Sequence, residues 1–218
     1  KGKDWQFEYG KRQTLDLLYI KARNLEPDNL ALQLSYAFLG VKIECAQCHK
    51  HPMDRWTQAD FGSFASTFAY VGVSRDFSRT ALPLSEATNN GMRGINEVFN
   101  LDAPRKVYTD PRTGKELKPK ALGGPELPAG AGRDPRSALA AWMTAPDNPY
   151  FARAMVNRLW AHYLGRGLVD PPDGLAAANP ASHPTLLDEM ARRFAASGYD
   201  LKALHRLILN SHTYQRSW

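Results

Sequence analysis

The chain has 218 residues, 43% of them hydrophobic and 23% charged, enough for one medium domain or two small ones with real cores. Lys and Arg number 28 against 22 Asp and Glu, a net charge of +6, which reads as a basic soluble surface rather than a nucleic-acid binder. No apolar run approaches the roughly 20 residues of a membrane helix, and "KGKDWQFEYG" lacks the basic-then-apolar pattern of a signal peptide.

In chain order, "RQTLDLLYIKARN" reads as a short helix and "EPDNLALQLSYAFLGVKIECAQCH" as a longer one. Asp28 is its expected N-cap, and Leu30, Leu34, Phe38 and Val41 recur at helical spacing. Pro52 breaks what precedes it. "TQADFGSFASTFAYV" then opens with Thr57 as N-cap and Asp60 three residues on. Its stripe of Phe61, Phe64, Phe68 and Val71 suits a core, and would also wall a large flat cofactor. From about Ser74 to Arg133 the helical period disappears. "KVYTDPRTGKELKP" there looks like a β-hairpin, and the Gly- and Pro-rich "GGPELPAGAG" like a linker.

Helical signals return beyond it. Asp134 caps "DPRSALAAWM", with Pro135 at the first helical position. Asn148 and Pro149 repeat the device, and Gly165 closes a helix whose apolar face is Phe151, Met155 and Leu159, flanked by Val156, Trp160 and Tyr163. A third helix runs from Ser182 to a Gly198 stop with Leu186, Met190 and Phe194 in register, and a fourth starts at Asp200. The four are expected to pack as a small bundle.

The two cysteines and the next residue, Cys45, Cys48 and His49, spell C-x-x-C-H, the attachment pattern of a c-type haem. Two thiols three apart can add to two vinyl groups on one porphyrin edge, and the adjacent imidazole supplies a proximal iron ligand. Other uses fit less well. A structural zinc needs four ligands, and only His49 and His51 could complete a local set. A thioredoxin-like dithiol needs a strand before the first Cys. A disulfide across three residues would staple almost nothing. The expected fold class is mainly α: a haem-binding helical domain with a small β-hairpin over 1–124, a linker over 125–133 and a helical bundle over 134–218.

The longer string "FLGVKIECAQCHKHPMDRWTQADFGSFASTFA" closely resembles the planctomycete-type cytochrome domain. There a helix ending in "FLG" leads into CAQCH-x-HP-x-D-x-W-T-Q-x-D, and every fixed element is present from Phe38 to Asp60. The family often has Phe where this chain has Met53, so Met53 inherits no role. "NPYFARAMVNRLWAHYLGRGLVDPPDG" and the segment from Asn179 to Ser217 resemble the planctomycete-specific helical domain that commonly follows it. The resemblance implies secreted, multidomain bacterial proteins that bind haem, and no particular reaction. Such proteins are usually longer at both ends, and the chain reads as a fragment.

For the second axial position His51 is too close to His49, and a short tether argues against Met53. His162 is the leading distal candidate. His205 and His212, seven apart in line with Leu201 and Ile208, are expected to face one side of a helix, and His183 to serve as a capping residue. Arg55 is placed to pair a haem propionate and Trp56 to pack on the porphyrin edge or donate its indole N–H. The expected function is a periplasmic or cell-surface cytochrome module with one covalent haem, passing electrons to a redox partner protein. The alternatives are a structural envelope component, among neighbouring envelope subunits, and a haem-dependent enzyme.

Overall fold

The computed structural model describes residues 26–74, 97–130 and 132–216. The helix expected over "RQTLDLLYIKARN" lies outside them. Mainly helical, as the sequence periodicities predict, the described residues build six α-helices around two hydrophobic cores.

Helix α1 spans Pro27–Leu34, and Pro27 rather than Asp28 opens it. The fixed φ of proline suits the first helical position, so the helix begins one residue before the acid that was expected to cap it. Asp28 is left inside the first turn, where it accepts the Tyr108 hydroxyl at 2.6 Å and pairs with Lys106. Burial and this carboxylate push the Tyr108 phenol well above its ordinary range. The helix does not run on to Cys45. It loosens into a π turn over Ser35–Leu39 and stops at Gly40, whose φ of +65° is left-handed and favours glycine.

Helix α2, Gln58–Ser66, starts at Thr57 as expected. The Thr57 hydroxyl accepts from the Asp60 amide and the Asp60 carboxylate accepts from the Thr57 amide. A 3₁₀ turn, Thr67–Tyr70, extends it. Phe61, Phe64, Phe68 and Val71 are all buried, and Phe64 meets Phe68 edge to face at 5.4 Å. The phenylalanine stripe is therefore core, not the wall of an open cleft. Strand β1, Val71–Ser74, pairs antiparallel with β2, Glu97–Asn100, placing Val71 opposite Asn100 and Ser74 opposite Glu97. The expected hairpin is present as a short antiparallel pairing of Thr109 with Glu116, flanked by the Leu117 amide bonding to Tyr108 O. It packs on α2 at Gly62, where a Cβ would come within 2.8 Å of Leu117 Cδ1.

Helix α3, Pro135–Met143, is capped by Asp134 as its sequence predicts. It does not join the other three in a bundle. Leu139 is buried in the first core with Leu30, Ile43, Trp56 and Phe68, and Trp142 packs against the same core. Helices α4 (Phe151–Leu164), α5 (Pro184–Ala196) and α6 (Leu201–Leu209) enclose the second core. Asn148 caps α4 from a turn upstream, its Oδ1 accepting the amides of Tyr150 and Phe151, and Gly165 ends it at φ +77°. The buried face of α4 is Ala152, Ala154, Val156 and Asn157, with Met155 and Leu159 half-buried beside it. α4 lies between two packing partners, so small residues take the close approaches and the large ones fill the flanks. On α5 the buried leucine is Leu187, and Leu186 is 38% exposed.

Candidate functional site

Cys45 lies on a 3₁₀ turn, Glu44–Gln47, that follows the irregular residues Val41–Ile43, and Cys48 is its C-cap. Val41, Ile43 and Ala46 are buried in the first core and anchor the turn from below. Cys48 ends it, and the amides of Cys48 and His49 both bond to Cys45 O, at 3.3 and 3.2 Å. Both cysteines are exposed free thiols.

His49 is exposed beside them. Its Nδ1 stands 2.7 Å from Lys50 O. A carbonyl only accepts, so this contact places the proton on Nδ1 and leaves the lone pair on Nε2. A metal-ligating histidine is commonly held in this way, with the ring nitrogen away from the metal donating to a carbonyl or carboxylate. His51 faces its own loop. Its Nδ1 accepts the Met53 amide at 3.2 Å, and its amide donates to Trp56 O at 2.8 Å. Met53 is 64% exposed. Among the described residues no three His, Cys, Asp or Glu side chains converge in a way that could hold a metal ion, so the local zinc set has no geometry here.

The chain leaves the motif through Arg55 and Trp56. Trp56 is 3% exposed, lies under the Arg55 guanidinium at 4.6 Å, and buries an Nε1–H that has no acceptor. Arg55 donates through Nη2 to the Tyr150 hydroxyl at 2.6 Å. Burial raises the Tyr150 phenol, and the Arg55 cation opposes the rise. These residues border a cavity of about 500 Å³, which Arg153, Leu175, Pro184 and Leu187 also line. Tyr150 had no signal in the sequence, because it lies 95 residues from Arg55 along the chain. A second, smaller cavity of about 180 Å³ lies where Lys50 and Gln58 meet the hairpin tip at Asp110 and Arg112.

The remaining histidines lie on or beside the helices that enclose the second core. His162 is exposed on the last turns of α4, edge-on to Tyr163, and borders none of the cavities described. His205 is half-buried, with its Nδ1 2.6 Å from the Tyr163 hydroxyl. His212 lies beyond the end of α6 and is exposed, so the two do not share a helix face. His183 is the residue before α5, and its side chain makes no capping bond.

Residues 8–72 match the model of a family described as a protein of unknown function (DUF1549), and residues 135–218 match that of a second family so described (DUF1553). No curated protein and no solved structure matches the chain. The two matched segments are thus similar to planctomycete-type domains of the kind often found in cytochrome-c-like proteins, the first match containing the Cys45–His49 motif and the second beginning with α3.

Proposed function

We propose that this chain is a c-type cytochrome module in which Cys45 and Cys48 would hold one covalent haem and His49 would ligate its iron. The observation that carries the reading is a pair of exposed free thiols three residues apart, one on a 3₁₀ turn and one at its C-cap, beside a histidine whose Nδ1–H is held by Lys50 O. When bound, the haem supplies an iron that takes up and passes single electrons. His49 would offer Nε2 to that iron, and Lys50 O would fix the ring's tautomer and orientation. Arg55, whose guanidinium lies over the Trp56 ring, is the residue suited to pair a haem carboxylate. Covalent haem attachment takes place outside the cytoplasm, so the module would work in the periplasm or at the cell surface, exchanging electrons with a partner protein. Among the described residues no helix is long and apolar enough to cross a membrane.

The test is expression in a host competent in cytochrome maturation. The expected result is an intact mass raised by one haem and a c-type pyridine haemochrome band, with Cys45→Ala and Cys48→Ala each weakening attachment. His49→Ala is expected to change the axial-ligand spectrum. A bare polypeptide with two free thiols from that host would overturn the reading.

A further inference from the structure

The segment bearing the motif hangs between two points, and the second domain holds both. Upstream, Arg158 of α4 donates through Nη1 to Ala37 O and through Nη2 to Tyr36 O, the carbonyls of the π turn that precedes the motif. Its Nε donates to Asp173, so one guanidinium spends both faces of its fork on this junction. Carbonyls at a helix end lack intrahelical partners and carry partial negative charge, which a cation answers well. Beside them the Leu175 amide donates to Gly40 O at 3.0 Å. The approach at Gly40 is so close that a Cβ there would lie 3.0 Å from both Ala154 Cβ and Leu175 Cδ1.

The loop supplying Asp173 and Leu175 is itself held to α4. Asn157, fully buried, donates through Nδ2 to Val169 O and Pro172 O, both at 2.8 Å, and accepts the Val169 amide at 2.9 Å. Downstream of the motif, Tyr150 accepts from Arg55. Helix α4 and its flanks therefore grip the chain at 36–40 and again at 55.

We infer that the second domain is a clasp for the Cys45–His49 segment, with Arg158 as its positioning residue. The clasp sets where the two thiols and the imidazole stand relative to the first core. It gives a role to the second domain, and it holds whether or not haem is attached.

The test uses the full chain without haem and reads hydrogen exchange at the amides of 41–49 under native conditions. Charge-assisted hydrogen bonds are worth enough that Arg158→Ala should speed exchange at Val41 and His49 roughly tenfold or more, with α5 and α6 unchanged. Arg158→Lys should recover little of this, because an ammonium cannot reproduce the planar fork. Asp173→Asn, a milder change, should move the same amides in the same direction. Leu204→Ala, in the second core, serves as the control for general destabilisation: any acceleration it brings should be spread over α2, α5 and α6 alike rather than concentrated at 41–49. With haem attached, Arg158→Ala should also shift the reduction potential where Leu204→Ala does not. Unchanged exchange at 41–49 in Arg158→Ala, or acceleration spread equally over every segment, would overturn the clasp. Haem attachment is read separately by mass, so failure of the cofactor assignment would leave the exchange result standing.

Discussion

At Gly123 the backbone takes a φ of +71°, and a Cβ there would come within 2.5 Å of Arg55 Nη2, 3.1 Å of Trp56 Cη2 and 3.2 Å of the Tyr150 hydroxyl. The flexible guanidinium can yield, but the indole ring cannot. Gly123→Ala should therefore cost about 1–2 kcal/mol from the left-handed backbone alone. It should also push the Tyr150 phenol higher, because burial would then act without the cation beside it. Chemical denaturation measures the first effect and a spectrophotometric phenol titration the second. Arg55→Gln should reproduce the titration without the backbone cost. At this scale the spacing of Cys45, Cys48 and His49 could be read from the sequence because it is local, five consecutive positions. Tyr150 and Gly123 were not legible, because nothing in their own neighbourhoods points to Arg55.

Helix ends were read well wherever a short side chain could reach its own backbone. Thr57 with Asp60, Asp134 and Asp200 all cap as their sequences predict. Asp28 failed because the preceding proline claimed the first turn, and the run to Cys45 failed because Gly40 stopped it. The Asp134 cap has a consequence for pH. Burial by itself would raise this carboxyl, but the Arg136 amide and guanidinium bonded to it more than reverse that and hold it below its ordinary range. A depressed carboxylate stabilises the fold above its unfolded pKa of about 4, and the contribution fades as pH falls through the lower folded value. Asn also caps helices well, so Asp134→Asn should remove mainly the charge-dependent part. The stability gap between the two proteins should be widest at neutral pH and close below about pH 4, as measured by denaturant titrations across that range.

Among the described residues two cores meet along α4 and the loop carrying Leu175. Ala154 of α4 touches Gly40 beside the first core, while Ala152 and Val156 lie in the second. Ile208, fully buried in the second core, should cost about 2–5 kcal/mol when cut to Ala. Because α4 serves both sides, that loss should not stay in the second domain. Hydrogen exchange should show α2 and α6 opening in one cooperative step in Ile208→Ala. Protection of α2 that persists after α6 has exchanged would show that the domains unfold apart. The expectation of a four-helix bundle missed the placement of α3, since amphipathic spacing reveals that a helix has an apolar face but not which core receives it.

Local chemistry was thus determined by the sequence alone: the mainly helical class, the caps, the hairpin turn, and a thiol pair with its histidine. These depend on residues within a few positions of one another, where spacing and steric preference decide the outcome. The tertiary structure alone decided that α3 joins the first core, that Arg158 reaches back to Tyr36 and Ala37, and that Tyr150 meets Arg55. Those pairings span about a hundred residues of chain, and only the shape of the packed cores selects them.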